Sequence, residues 1–173
     1  DCNLGVNSTF ILPMDGYHLP LSELKVSENA EDLIYRRGAP DTFASKKLKG
    51  DLTRLTQFDL TKSGERVAFP GFDHAQGDPI EDVHIYEGQR IVIVEGLYLF
   101  RADWDLLILF DDKIFIEADI DICVERLKIR NLCIPGYTPD EIRERCEKVD
   151  RANGMQVLND KGFASMVVKT GVN

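Results

Sequence analysis

The stretch Arg90 to Glu95, which reads RIVIVE, constrains the fold more than any other part of this sequence. Four β-branched residues follow one another in it without a polar interruption. Such runs are typical of strands that are buried on both faces, and those strands lie at the centre of parallel sheets. The sequence therefore predicts a central parallel strand here, followed at once by Gly96.

Strands and helices are predicted to alternate along the rest of the chain. We expect further strands at 9–14, 67–70, 113–117 and 165–169, and helices at 30–37, 43–58, 120–132 and 138–158. Asp41 or Thr42 is expected to cap the second helix, and Thr138 with Glu141 forms a capping-box pattern. Residues 71–82 are expected to form a loop. With 173 residues, this pattern indicates one α/β domain with a mainly parallel sheet flanked by helices.

The overall charge excludes some classes of partner. The formal net charge is −9, whereas a nucleic-acid-binding protein needs a basic face. No apolar stretch is long enough to cross a membrane. We therefore expect neither nucleic acid nor a membrane as partner.

The four cysteines indicate neither a metal site nor a disulfide framework. Cys2, Cys123, Cys133 and Cys146 form no C-x-x-C pair and have no histidine at a spacing suited to zinc. This usage is typical of reduced cysteines in an intracellular, cytoplasmic protein.

Two predicted strands end in the same way, with a carboxylate followed by glycine. Asp15-Gly16 follows the apolar run at 10–12, and Glu95-Gly96 follows RIVIV. Ligands of parallel sheets bind beyond the carboxyl ends of the strands, so both acids are expected at one edge. There one acid can accept a proton from an attacking hydroxyl and the other can orient Mg²⁺, while Gly16 lets a substrate approach the backbone. Two unrelated strand ends are the alternative.

Basic residues cluster between Arg36 and Arg54, where six Lys and Arg stand against two acids. A small anionic substrate could use this patch, and a solvated basic helix explains it equally well. Arg36 and Arg37 precede a Gly-Ala-Pro turn, where a guanidinium can bind phosphate or simply favour the carboxyl end of a helix.

Two further groups of residues are candidates for binding. The loop FPGFDH at 69–74 carries Asp73 and His74, which could line a pocket, as could His18. Arg126 and Arg130 share a helix face because they stand four residues apart, and could close over phosphates as a lid. Salt bridges of these arginines with Glu125 or Asp121 are the alternative.

The phosphate-binding motif G-x-x-x-x-G-K-[ST] does not occur in the 173 residues. The chain also begins at Asp1 rather than at a methionine, so we expect a fragment or a missing start.

Five stretches, in order, resemble one family and together cover most of the chain. They are PMDGYHL, RRGAPDTF, FPGFDHAQGDP, RIVIVEGLYLF, and the pair VERLKIRN with GYTPDEIRERCEKVDRANG. The chain is similar to P-loop kinases of the uridine kinase, phosphoribulokinase and pantothenate kinase type, and most of all to the yeast-type ATP-dependent kinase branch. The resemblance implies a three-layer, P-loop NTPase-like fold, here without its N-terminal P-loop strand and helix, and a lid around 124–154.

The resemblance also implies roles for individual residues. Asp15 matches the general base, Glu95 the acid near Mg²⁺, and Arg126 and Arg130 the lid arginines that face the phosphates of ATP. The matches on the substrate side are Tyr17, His18, Arg37, Asp73 and His74. The implied cofactors are ATP and Mg²⁺, and the implied acceptor is a small molecule with a hydroxyl group.

Several hypotheses about function stay open at this point. The chain is either part of an ATP-dependent small-molecule kinase or a non-catalytic relative that keeps a substrate-binding module without binding ATP. A fragment without function is a third possibility. Loss of the P-loop strand should in each case expose the flank of the RIVIVE strand.

Overall fold

The structure, a computed structural model, describes residues 8–59, 64–134 and 136–170. Strands and helices alternate along these residues much as the sequence predicts. The strands are β1 (Thr9–Pro13), β2 (Val67–Asp73), β3 (Asp78–Tyr86), β4 (Ile91–Glu95), β5 (Ile114–Glu117) and β6 (Met166–Lys169). The helices are α1 (Leu21–Leu24), α2 (Ala30–Tyr35), α3 (Ser45–Thr56), α4 (Ile120–Arg130), α5 (Pro139–Arg145) and α6 (Arg151–Asn159), and a π-helix (Cys146–Asp150) joins the last two.

Two parallel strand pairs and one antiparallel hairpin make up the sheets of the described residues. β1 pairs with β4, and β5 pairs with β6, in both cases in parallel. β2 and β3 pair in antiparallel fashion. The predicted parallel pairing of the strands is thus confirmed, and it fixes which strand ends share an edge.

One face of β1 forms the centre of the main hydrophobic core. Phe10 and Leu12 point into it and are buried, whereas Ile11 between them is exposed. The Phe10 ring contacts the Phe69 ring of β2 and the Tyr86 ring of β3, with centroids 5.6 and 5.3 Å apart. Burial of each such ring contributes about 2 kcal/mol, so these contacts fix the hairpin against β1.

The expectation that RIVIVE is buried on both faces is wrong for the described residues. Ile91, Val92 and Ile93 of β4 are all exposed, and β1 is the only strand hydrogen-bonded to β4 in the described part. β4 has the composition of a central strand but the environment of an edge. This is the exposure that the resemblance predicts where a P-loop strand is missing.

The predicted loop at 71–82 is also wrong, because most of it belongs to a β-hairpin. β2 extends to Asp73 and β3 begins at Asp78. Pro70 lies where the register shifts between Phe69 and Gly71, so its missing N–H interrupts the ladder without ending the strand. Glycine and proline that appeared to mark a loop therefore mark a bulge and a tight turn.

The helix starts agree with prediction at one position and differ at another. Asp41 and Thr42 lie in a 3₁₀ turn (Pro40–Thr42), and α3 begins after Ala44 without a side-chain cap, so the predicted cap is wrong. The Thr42 hydroxyl is used instead inside the turn, where it donates to the Ala39 carbonyl over 2.8 Å. At α5 the capping box of Thr138 and Glu141 is confirmed.

The helices at 120–159 build a second, smaller core. Val124 of α4, Ile142 of α5 and Cys146 of the π-helix are buried together there. This cluster is separate from the core around β1. The helical region therefore has packing of its own.

Candidate functional site

The parallel pairing of β1 with β4 brings Asp15 and Glu95 to the same edge of the sheet. Pro13 is the register partner of Glu95, and Asp15 follows two residues later. Gly96 packs against Met14 so closely that an added Cβ would lie 2.4 Å from the Met14 Cβ. Burial raises the pKa of Glu95, and the nearby charge of Asp15 raises it further.

Asp15 lies in a 3₁₀ turn (Met14–Tyr17) that leaves its carboxylate available. The backbone carbonyl of Asp15 accepts hydrogen bonds from the backbone N–H of His18 over 3.1 Å and from its Nδ1 over 2.8 Å. Within the described residues, the Asp15 carboxylate has no hydrogen-bond partner. A carboxylate of this kind can accept a proton from a ligand.

Gly16 and Tyr17 turn into the core. An added Cβ at Gly16 would lie 2.4 Å from the carbonyl oxygen of Pro70, so the close approach that glycine permits is made by β2 and not by a substrate. Our expectation for Gly16 is therefore wrong. Tyr17 is 1% exposed, and its hydroxyl donates to Asp51 over 3.0 Å. A role of Tyr17 in binding substrate stays a prediction.

His18 lies between two aromatic rings beside Asp15. Its ring centroid is 4.0 Å from that of Phe43 and 4.8 Å from that of Phe72. Burial lowers the pKa of His18, and the hydrogen bond to the Asp15 carbonyl and the Asp15 charge oppose this shift without reversing it. The neutral ring donates from Nδ1 to the Asp15 carbonyl, which leaves the Nε2 lone pair as an acceptor.

Arg37 is close to this group, but its guanidinium is already bound within the chain. It donates to the carbonyl of Gly77, to the carbonyl of Leu19 over 3.0 Å and to the Asp78 carboxylate over 2.9 Å. Burial lowers the pKa of Arg37, and the charge of Asp78 opposes that shift. The guanidinium thus holds the β2–β3 turn against residue 19, and the role of Arg37 in binding substrate stays a prediction.

Asp73 and His74 begin the same turn. The Asp73 carboxylate accepts from the backbone N–H of Ala75 over 2.8 Å and of Gln76 over 3.2 Å, so it stabilises the turn. The His74 ring is exposed and contacts the Phe72 ring at 5.2 Å. Of the predicted residues on the substrate side, His18, Arg37 and His74 are thus brought together around the Phe72 ring.

Arg126 and Arg130 form a separate group on α4. With Cys123 and Leu127 they line a shallow cavity of about 260 Å³. Their expected acidic partners are bound elsewhere, since Glu125 pairs with Lys128 and Asp121 pairs with Arg151. In the described part of the chain Arg126 makes no side-chain hydrogen bond or ion pair, and Arg130 makes only a 3.4 Å contact with Asn131. The salt-bridge alternative is therefore wrong.

Sequence reasoning missed two residues that organise this region. Asp78 accepts from both Arg37 and the backbone N–H of Leu21, and Arg145 of α5 donates to the carbonyls of Tyr35 over 3.0 Å and Arg37 over 2.7 Å. Arg145 thus joins the helical region to the turn that carries Arg37. Nothing in the local sequence indicates these contacts, because the partners of Arg145 lie more than a hundred residues away.

The described residues contain no group of three or more His, Cys, Asp or Glu side chains that could hold a metal ion. Mg²⁺ does not need such a group, since it is commonly bound by one or two carboxylates together with substrate phosphates. Glu95 fits that requirement. Among the described helices none is long and apolar enough to cross a membrane.

Comparison with known proteins agrees with this arrangement. The model of the Phosphoribulokinase / Uridine kinase family matches residues 42–170. The chain belongs to this family. A relative from Aspergillus versicolor, the ATP-dependent kinase-like protein notR', is 40% identical over 131 residues, which cover 73% of this chain and 75% of the relative.

Two further relatives support the family and the fold. ATP-dependent kinase YFH7 of Eremothecium gossypii is 35% identical over 121 residues, which are 57% of this chain and 36% of that protein. The solved structure of YFH7 from Saccharomyces cerevisiae superposes with a TM-score of 0.81 at 26% identity, covering 97% of this chain and 60% of the other. The fold is that of P-loop kinases, and the chain spans only part of the length of these relatives.

Proposed function

We propose that this chain is the larger part of an ATP-dependent kinase that transfers the γ-phosphoryl group of ATP to a hydroxyl of a small molecule. The observation that carries the proposal is the pairing of Pro13 with Glu95, which brings the carboxylates of Asp15 and Glu95 to one edge of a parallel sheet. Family membership supports the same reaction class. Nucleosides, sugars and vitamin-like alcohols are all candidate acceptors.

Each candidate residue has a role that its surroundings support. Asp15 accepts or orients the proton of the attacking hydroxyl, because its carboxylate has no partner among the described residues. Glu95 would hold Mg²⁺, which supplies charge neutralisation beside the phosphates when bound. Arg126 and Arg130 face the phosphates as lid residues within 124–154, where α4 and α5 share their own core.

We further propose that an N-terminal segment supplies the phosphate loop and a strand beside β4. The exposed residues of β4 support this, as does the absence of G-x-x-x-x-G-K-[ST] from the 173 residues. The test is calorimetry with Mg-ATP on this chain and on an N-terminally extended form. Binding by the extended form alone supports the proposal, and binding by neither supports a non-catalytic substrate-binding module.

The proposed role of Asp15 has its own test in the extended form. Asp15→Asn keeps the size of the side chain and removes the proton acceptor. We expect it to abolish phosphoryl transfer while the affinity for Mg-ATP stays unchanged. Near-normal turnover would exclude Asp15 as the base.

A further inference from the structure

The basic stretch at 36–54 is neutralised from within the chain. Five of its six cations form ion pairs, namely Arg36 with Asp32 and Asp41, Arg37 with Asp78, Lys47 with Glu81, Lys49 with Asp105, and Arg54 with Asp51. Within the described residues the sixth, Lys46, has no ion pair and lies exposed near the start of α3. The stretch that by composition could attract an anionic substrate therefore presents little free positive charge.

Arg37 shows this most clearly, because its Cζ lies 5.7 Å from the centroid of the Phe72 ring, beside His18. Its two terminal nitrogens donate to two carbonyl groups and to the carboxylate of Asp78, and its Nε is buried without a partner. Asp78 also accepts from the backbone N–H of Leu21 over 2.8 Å. An anionic ligand that reached Arg37 would lie beside the Asp78 carboxylate, which neutralises the guanidinium charge.

The groups that remain around His18 are suited to uncharged ligands. Asp15 is a carboxylate whose charge acts on His18, and it repels an anion. The pKa of His18 is lowered, so its ring is neutral and offers an unpaired Nε2 as hydrogen-bond acceptor. The rings of Phe43 and Phe72 on either side give apolar contact.

The next inference rests on the kinase activity proposed above. We propose that the acceptor is an uncharged compound with several hydroxyl groups. Acceptors that bear a phosphate or carboxylate group are disfavoured. The hydroxyl groups donate to Asp15 and to His18 Nε2, and the carbon skeleton contacts the aromatic rings. Asp78 is the residue that determines this specificity, because it keeps the Arg37 guanidinium from an anionic ligand.

The test compares matched pairs of acceptors on the N-terminally extended chain. The pairs are glycerol with glycerate, fructose with fructose 6-phosphate, and uridine with orotidine, each measured by calorimetry and by phosphoryl transfer from Mg-ATP. We expect at least one uncharged member to bind, and to bind about tenfold or more tightly than its anionic partner. Preference for an anionic member, or binding of no uncharged member, overturns the inference.

The two readouts separate this inference from the proposed function. Binding of an uncharged member without transfer of phosphate supports the inference and contradicts the kinase activity. Transfer to an anionic member in preference to its uncharged partner supports the kinase activity and overturns the inference.

A pair of variants tests the role of Asp78. Asp78→Asn keeps an acceptor for Leu21 but removes the charge that neutralises Arg37, so affinity for the anionic members should rise several-fold. Asp105→Asn is the matched control, because it frees Lys49, which has no contact with the group around His18 in the described residues. If both variants and the wild type bind the anionic members with equal affinity, and thermal unfolding is unchanged, Asp78 does not determine the specificity.

Discussion

At the scale of single residues, Glu95 is a carboxyl group whose charged form its surroundings disfavour. Burial and the charge of Asp15 both raise its pKa above the ordinary value. Between the ordinary and the raised pKa the folded state therefore binds more protons than the unfolded state, so this carboxyl lowers stability as pH rises through that window. Retention of a destabilising carboxylate is typical of a functional site.

Glu95→Gln is therefore expected to raise the free energy of unfolding at neutral pH. The gain should shrink as pH falls through the window, because the wild-type carboxyl becomes protonated and uncharged there. Urea unfolding at a series of pH values measures both effects. Asp15→Asn should produce part of the same gain, because it removes the repulsion between the charges of residues 15 and 95. A loss of stability in Glu95→Gln at neutral pH would contradict this explanation.

Tyr17 supports Asp15 from inside the core. Burial, and then the neighbouring charge of Asp51, raise the pKa of its phenol, so the hydroxyl stays protonated and donates to Asp51. Asp51 also accepts from Arg54 over 2.9 Å. The 3₁₀ turn that carries Asp15 is thereby connected to α3.

We expect Tyr17→Phe to lower the free energy of unfolding by about 2 kcal/mol, because a buried carboxylate loses one of its donors. Tyr35→Phe is the matched control; Tyr35 is exposed, so its change should stay within about 0.5 kcal/mol. Denaturant unfolding of both variants measures the difference. Equal stability of the two would show that the hydrogen bond to Asp51 contributes nothing.

The sequence was sufficient to predict that Asp15 and Glu95 lie at one edge of the sheet. It was not sufficient to predict which groups of the chain Arg37 contacts. The edge follows from a general property of parallel sheets, in which every strand end lies on the same side. The contacts of Arg37 depend on a turn forty residues later, whose position the sequence does not specify. Composition showed a basic patch, and only the fold showed that acids of the patch and of other segments neutralise it.

At the scale of elements, helix α4 presents two arginines that have no acidic partner within the described residues. Lys128 and Arg151 bind the nearby acids, which leaves Arg126 and Arg130 on one exposed face. We expect Arg126→Gln and Arg130→Gln each to weaken Mg-ATP binding about tenfold in the N-terminally extended chain, as the loss of a charge-assisted hydrogen bond implies.

Calorimetry measures these affinities, and Arg143→Gln is the control. Arg143 lies on α5 and already pairs with Asp140, so its loss should leave the affinity for Mg-ATP unchanged. An equal decrease in all three variants would indicate a general effect of charge, and no decrease in any would exclude α4 as a phosphate-binding lid.

The elements also show how far local sequence signals extend. The start of α5 was predictable because Thr138 and Glu141 satisfy each other's backbone groups within one turn. The β2–β3 hairpin was missed because its pairing depends on a bulge at Pro70, and local propensity favours a loop there. The reciprocal signal at α5 lies within one turn and was sufficient, the single-residue cap predicted for α3 was not, and pairing between strands has to be decided by the rest of the chain.

At the scale of the whole molecule, each parallel strand pair is a two-stranded sheet among the described residues. In the described part of the chain β4 pairs only with β1, and β5 only with β6. Ile93 of β4 is 48% exposed and Ile116 of β5 is 68% exposed. The β-branched composition of RIVIVE predicts a central strand, and among the described residues the structure gives this strand one neighbour, β1.

Exposed apolar strand edges favour association between copies of a chain. We therefore expect the 173-residue chain to self-associate as its concentration rises, and an N-terminally extended form to stay monomeric in sedimentation velocity. Ile93→Lys should reduce self-association because a charge on β4 opposes edge pairing. Val26→Lys is the control, since Val26 is 85% exposed but lies outside every strand, and its change should have no effect. A monomeric 173-residue chain at high concentration would mean that these edges do not pair, and the exposure of β4 would then no longer support a missing strand.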